Sequence, residues 1–162
     1  MNRQELIQFK LNPSLKECAQ HRAHLQSAWR ESVAFPALQT EAKDNTLTDS
    51  QIRTLDQLIF RFGKLQDAIG TRLLPALLQL LQEWQENEAF LDKLNRAEKL
   101  GLLDSVEQWQ RLRELRNQIT HEYPDNPEAI ISGLRRLVAH VPILLEVHEQ
   151  LAKAAAARFL AD

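Results

Sequence analysis

Apolar residues recur at intervals of three and four along most of the chain, which is the spacing of an amphipathic α-helix. The pattern is clearest in one run between Ile52 and Leu73 and in a second run between Val106 and Ile119. No stretch alternates apolar and polar residues in the way that a half-buried strand does. The pattern therefore predicts an all-α protein.

Helix start signals divide this pattern into about five helices. Asn12-Pro13 and Asn126-Pro127 each place an N-capping side chain before a proline at the first helical position. The first pair predicts a helix that runs to about Phe35, and the second predicts a long last helix. Thr48-Asp49-Ser50-Gln51 has the form of a capping box and predicts another start.

Stop signals complete the division of the chain. Pro75 lacks a backbone N–H and clashes with the preceding turn, so it should kink or break the second helix. Asn87 is expected to cap a short helix that ends at Gly101. Asp104 or Ser105 should then cap the next helix, which we call the motif helix.

Composition places these helices in one compact unit. A chain of 162 residues that is 44% hydrophobic has the size of a single domain and can fill a core. With only 4 Gly and 6 Pro residues, the helices should be long and joined by short connections. Such connections favour an up-and-down antiparallel helical bundle.

Charge and cysteine content restrict the function classes. The net charge of −2 argues against a general nucleic-acid coat protein, so any RNA contact must be local. Cys18 is the only cysteine, which excludes an internal disulfide and fits a reducing cytoplasm. No apolar run reaches the length of a membrane span, so we expect a soluble cytoplasmic protein with no membrane partner.

The chemistry-bearing groups concentrate in one eight-residue run near the end of the motif helix. The run reads Arg116-Asn117-Gln118-Ile119-Thr120-His121-Glu122-Tyr123 and precedes Pro124, which disfavours helical geometry at Tyr123. Arg116 supplies a permanently charged planar fork that suits a phosphate, and His121 can give or take a proton near neutrality. The run contains the only tyrosine of the chain.

Helix geometry constrains how these groups meet. Arg116 and His121 are five residues apart, or about 140° around the helix, so they are not neighbours on one face. Asn117 and His121 share a face that points away from the apolar face formed by the run between Val106 and Ile119. Either a long Arg116 side chain reaches around Asn117 to a shared phosphate, or two copies of the chain face each other across a dimer cleft.

The pattern Arg-Asn-x3-His-x-Tyr resembles the signature of HEPN domains, which are small helical bundles that include metal-independent ribonuclease toxins. Two further blocks, residues 58–70 and 90–101, resemble one branch of that family in order and spacing. The resemblance covers roughly residues 48–150. It implies a HEPN-like domain over residues 46–162, with residues 1–45 as an N-terminal helical extension packed on the bundle.

The resemblance implies the toxin of a type II- or type VII-like toxin–antitoxin pair, acting as a homodimeric endoribonuclease without metal or cofactor. Its substrate would be RNA and its antitoxin a nucleotidyltransferase. The ribose 2′-hydroxyl would attack the adjacent phosphorus. His121 would serve as general base or acid, Arg116 would stabilise the phosphoryl oxygens, and Asn117 would orient the histidine or the phosphate.

The same motif leaves two other interpretations open. In related pairs the nucleotidyltransferase transfers AMP onto the motif tyrosine, which would be Tyr123, although this residue could equally serve only for packing. The chain could also be a non-catalytic HEPN module that binds a nucleotide or a nucleotidyltransferase partner. Without the family resemblance, the four motif residues would be interpreted as ordinary residues of an exposed helix.

A few residues outside the motif are also candidates for binding RNA, a second subunit or a metal ion. Arg61, Lys64, Asp67 and Arg113 could contact RNA or the second subunit, or they could form a solvated face with local ion pairs. The set Cys18, His21 and His24 is spread around its helix and has no carboxylate to complete it, so we predict no metal site.

Overall fold

The computed structural model describes residues 1–39, 42–123 and 130–160, and these ranges contain helices and no β-strand. The predicted all-α class is confirmed. The α-helices of these ranges are α1 (Arg3–Leu6), α2 (Asn12–Ser32), α3 (Asp49–Ala68), α4 (Leu74–Leu80), α5 (Phe90–Lys99), α6 (Val106–Glu122) and α7 (Ile131–Ala155). Because α1 continues into α2 and α3 into α4, they form five continuous rods, as predicted.

Contacts between helices show that neighbouring rods run antiparallel. Thr54 near the start of α3 donates to a Glu31 carboxylate oxygen near the end of α2 at 3.0 Å. Further along α3, Arg61 Nη1 lies 2.9 Å from Nδ1 of His21, which is earlier in α2. The same reversed order holds for α3 with α6, α6 with α7, and α2 with α7. The long rods therefore form the up-and-down bundle.

Two of the prolines that lie inside continuous helices follow π-helical turns, and the first of these corrects the predicted start. Asn2, and not Asn12, caps the first helix through a capping box with Glu5. A π-helical turn, Ile7–Leu11, then brings the chain to Pro13 without interrupting the rod. An equivalent π-helical turn, Ile69–Leu73, precedes Pro75, so the chain stays helical there as well. The wider turn accommodates a ring that an α-helix interior excludes.

The N-terminal rod contributes to the central core. Leu11, Cys18 and Leu25 are fully buried, and they join the same apolar cluster as the side chains of α3 and α7. The rod ends at Ser32 and is followed by a 3-10 turn, Pro36–Leu38.

The motif helix α6 has both predicted ends. Ser105 accepts a hydrogen bond from the Gln108 N–H at 3.1 Å, and the helix stops at Glu122 with Tyr123 as its C-cap. The predicted capping box at Thr48 is also confirmed. Asn87 does not cap α5, which begins at Phe90 without a side-chain cap. The predicted start signal at Asn126-Pro127 lies outside the described residues.

Candidate functional site

Arg116 is held against α3 by two features of that helix. Its guanidinium donates twice to Asp67, from Nη1 to Oδ1 at 3.2 Å and from Nη2 to Oδ2 at 3.1 Å. One turn earlier, a Cβ added to Gly63 would lie 3.1 Å from Arg116 Nε. The missing side chain therefore lets the guanidinium lie directly on the helix backbone. We call Gly63, Asp67 and Arg116 the arginine cradle.

The cradle fixes the direction of the Arg116 side chain. The guanidinium turns towards α3 and not around Asn117. The Arg116 side chain is 27% exposed and the Asp67 side chain 49% exposed, so solvent screens the pair and its contribution to stability is about 0–1 kcal/mol. The two parallel hydrogen bonds restrict the orientation of the guanidinium, even though the ion pair adds little to the stability of the fold.

Tyr123 lies on the α3 side of α6, close to the cradle. It is 8% exposed, and its hydroxyl donates to the Ile52 carbonyl oxygen at 3.2 Å. Burial raises the pKa of this hydroxyl above its usual range, and the Asp56 carboxylate raises it further. Transfer of a group onto this oxygen would require the side chain to leave this position, because its hydroxyl is engaged and largely covered.

Arg116 and Asp67 separate two cavities. The first, which we call the tyrosine cavity, has a volume of about 290 Å³ and is lined by Phe60, Lys64 and Tyr123 besides the cradle. The second, which we call the tryptophan cavity, has a volume of about 370 Å³ and is lined by Trp84, Phe90 and Trp109 in addition to Asp67 and Arg116. The cradle therefore presents one cation to two concave surfaces.

His121 and Asn117 lie on a different face of the motif helix, about 140° and about 100° around its axis from Arg116. Both are exposed, as their spacing predicted, and neither lines the tyrosine or the tryptophan cavity. Within one chain the structure therefore does not bring His121 together with Arg116. In this conformation a single chain presents the two residues on separate surfaces.

The four residues predicted as RNA or dimer contacts divide into two groups. Lys64, Asp67 and Arg113 surround Arg116, where Lys64 lines the tyrosine cavity and Arg113 the tryptophan cavity. Arg61 instead faces α2 and contacts His21, so it does not contribute to either cavity.

Sequence reasoning did not identify the polar interior of the tryptophan cavity. Gln66 is 4% exposed, and neither its Oε1 nor its Nε2 has a hydrogen-bond partner among the described residues. Trp109, predicted only as one of the apolar residues of the motif helix, is 2% exposed. Its Nε1 also has no hydrogen-bond partner in the described part of the chain. A buried polar atom left unpaired costs about 1–3 kcal/mol, so the cavity wall carries unused hydrogen-bonding capacity.

Cations surround the same cavity. Lys93 Nζ lies 3.8 Å from the ring centre of Trp84, and the Arg113 guanidinium carbon lies 5.8 Å from the ring centre of Phe90. With Arg116 they make three cationic side chains against the one carboxylate of Asp67. The local balance is positive although the chain as a whole is slightly acidic.

The described residues contain no group of three or more His, Cys, Asp or Glu side chains that could hold a metal ion. Burial raises the pKa of the Cys18 thiol to about 12, which keeps it protonated near neutrality. A search for membrane spans over the described ranges finds no helix that is long and apolar enough to cross a bilayer.

No protein-family model, curated protein or solved structure matches this chain. The resemblance to HEPN domains therefore rests on the sequence motifs.

Proposed function

We propose that the chain is a metal-independent endoribonuclease of the HEPN type whose active site is completed by a second copy of the chain. The observation that carries the proposal is the division of the motif: the cradle holds Arg116 towards α3, whereas His121 and Asn117 are exposed on the other side of α6. Two facing copies can supply an arginine from one chain and a histidine from the other.

The chemistry assigned to this site is transesterification within RNA. The ribose 2′-oxygen forms a bond to the adjacent phosphorus, and the bond from phosphorus to the 5′-oxygen of the next nucleotide breaks. His121 accepts the 2′-hydroxyl proton while water protonates the leaving 5′-oxygen, or it protonates that oxygen while water accepts the 2′-hydroxyl proton. Either role is generally worth about 10² to 10⁴ in rate. Asn117, four residues earlier, orients the imidazole or the phosphate by hydrogen bonds.

Arg116 stabilises the charge on the non-bridging phosphoryl oxygens. A guanidinium has five N–H donors, and the two bonds to Asp67 leave the others available to a phosphate. Because the cradle orients the guanidinium before substrate binds, little reorganisation is needed when charge develops in the transition state.

We further propose that the nuclease is a cytoplasmic toxin restrained by a nucleotidyltransferase antitoxin. The support is the family resemblance, together with the place of Tyr123 beside Arg116 in the tyrosine cavity. AMP transferred from ATP to the Tyr123 oxygen, with pyrophosphate as the leaving group, would put a phosphate and a nucleoside next to the cradle and obstruct it. This step requires the antitoxin to draw the hydroxyl away from Ile52.

The experiment that tests the nuclease proposal is cleavage of a labelled RNA pool in excess EDTA by the wild-type chain, Arg116→Ala and His121→Ala. The matched control is Arg111→Ala, since Arg111 is an exposed arginine of the same helix that pairs only with Glu107 among the described residues. Both motif variants should lose cleavage while the control retains it. Intact RNA with the wild type, or equal cleavage by all four proteins, would leave the non-catalytic partner-binding module as the better account.

A further inference from the structure

We infer that the tryptophan cavity is a binding site for an unstacked nucleobase whose phosphate lies against the cationic side chains at its edge. The inference deepens the proposed function and rests on it, because it names the part of an RNA strand that the nuclease would recognise beside the cradle.

The cavity has flat aromatic walls and an open side. Trp84, Phe90 and Trp109 line it, and Phe90 remains 37% exposed. Its volume of about 370 Å³ falls within the range of about 300–1,000 Å³ that is usual for small-ligand sites. Aromatic surfaces of this kind bind bases by stacking, since every base has a π face.

The polar groups of the wall have hydrogen-bonding capacity suited to the edge of a base. Their N and O atoms are almost completely covered here, so Gln66 must turn towards the cavity to reach a base. The Gln66 side chain offers one acceptor and two donors, and the Trp109 indole offers one donor, all unpaired within the described residues. A glutamine amide can form paired donor and acceptor bonds with a base edge, which an aliphatic ligand cannot provide. An apolar occupant would leave these atoms unpaired, so the wall favours a heterocycle.

The charges select an anionic ligand. Lys93, Arg113 and Arg116 line the cavity, and Asp67, their only carboxylate neighbour among the lining residues, is already engaged by Arg116. A phosphate attached to the base would meet this cationic side. A neutral aromatic side chain of a protein partner would use the stacking walls but not the cations.

Gly70 provides the space for this arrangement. A Cβ on Gly70 would lie 3.3 Å from Trp109 Cζ2 and 3.6 Å from Phe90 Cζ. Two of the aromatic rings therefore pack directly on the backbone of the π-helical turn that joins α3 to α4. A methyl group at this position would make an ordinary contact with Phe90 but would shift the Trp109 ring by a few tenths of an ångström, which changes the shape of the cavity wall.

Nuclear magnetic resonance of the full-length protein tests the inference without any requirement for cleavage. The probes are AMP, GMP, CMP and UMP, then adenosine, which lacks the phosphate, and a short single-stranded RNA. The readout is the indole N–H resonance of Trp109, assigned by comparison with Trp109→Phe. A mononucleotide should shift this resonance, adenosine should bind more weakly than AMP, and RNA that competes with AMP would identify the strand as the source of the base.

The matched variants are Gln66→Leu, which removes the amide at similar volume, and Gln57→Leu, which changes an exposed glutamine of the same helix. Loss of the amide contacts should weaken AMP binding about tenfold, while the control should bind like the wild type. Gly70→Ala should also weaken binding. Unperturbed Trp109 resonances with every probe, or equal affinity of wild type and Gln66→Leu, would overturn the inference.

The two proposals fail in different ways. If Gln66→Leu binds AMP normally while His121→Ala has lost cleavage, the cavity assignment fails and the nuclease remains. If binding depends on Gln66 but His121→Ala cleaves like the wild type or no chain cleaves, the nuclease proposal fails and the nucleotide site remains.

Discussion

The two sides of the motif helix are built in opposite ways. On one side, Arg116 is held by Asp67 and packs on Gly63, and Tyr123 is bonded to the neighbouring helix. On the other side, Asn117 and His121 stand exposed. In the proposed nuclease, the electrostatic group is thus held in place and the acid–base group stands at the surface. We propose that the two meet when a second copy of the chain supplies the histidine.

The two sides of the motif helix should differ most in how substitutions on each side affect activity and stability. Arg116→Ala and His121→Ala should each reduce cleavage by about 10² or more, since each removes a transition-state interaction. Only Arg116→Ala should also lower the free energy of unfolding, by about 1 kcal/mol, because it removes a packed and ion-paired side chain. His121→Ala should unfold like the wild type within about 0.5 kcal/mol. Urea titrations of both variants check this contrast, and equal destabilisation would contradict it.

A second histidine, His148, is buried, whereas His121 is exposed. His148 is 6% exposed, and its Nδ1 lies 3.1 Å from Arg22 Nη1. Burial, and then the Arg22 charge, lower the pKa of His148 to about 4, from 6.5. The unfolded chain therefore binds a proton that the folded chain does not between pH 6.5 and 4. The folded state should lose up to about 3 kcal/mol as the pH falls through this window.

The measurement is the free energy of unfolding at several pH values for wild type and His148→Gln, with His140→Gln of the same helix as control. The glutamine variant should lose less stability on acidification than wild type does. If the wild type and His148→Gln lose the same amount, His148 is not kept neutral by the fold.

The anchor of Arg116 can be weakened without changing Arg116 itself. Asp67→Asn removes the charge from the two-point contact, so the guanidinium should lose its fixed position and cleavage should fall about tenfold. Asp56→Asn is the matched control, because Asp56 lines the same tyrosine cavity without bonding to Arg116. A gain of activity in Asp67→Asn would mean that Asp67 competes with the phosphate for Arg116.

The smallest expected effect comes from Gly63→Ala. The new Cβ would meet Arg116 Nε at 3.1 Å, so the side chain must shift by a few tenths of an ångström. Cleavage should fall about threefold, a change of about 0.6 kcal/mol in the barrier. Stability should not fall, since alanine favours a helix interior over glycine by about 0.5–1 kcal/mol. Kinetics and urea titration of one preparation check both parts.

The sequence predicts those parts of the site that depend on local signals. The Ser105 cap and the C-terminal end at Tyr123 follow from neighbouring residues, and so does the exposure of Asn117 and His121 on one face. The Arg116 anchor does not follow in this way. Asp67 was only a candidate contact residue, and its partner lies 49 positions away on another helix.

Two features that could not be predicted from the sequence have identifiable physical reasons. Asn12-Pro13 carries a genuine start signal, but a π-helical turn just before it accommodates the proline ring, and local rules do not anticipate that turn. Gln66 looks like any polar residue on a helix until Trp109 and Trp84 are brought beside it. Its unpaired amide becomes visible only in the folded chain.

Mixing two inactive variants shows whether two chains share one active site. Arg116→Ala and His121→Ala are unfolded together and refolded, so that about half of the dimers contain one chain of each kind. Each mixed dimer then holds one intact site of two, and cleavage should return to about one quarter of the wild-type level. Mixing either variant with the double variant is the control and should restore nothing.

If two chains share one active site, cleavage should recover in the first mixture alone. If the two variants form mixed dimers and still leave RNA intact, Arg116 and His121 act within one chain or not at all, and the shared site is contradicted.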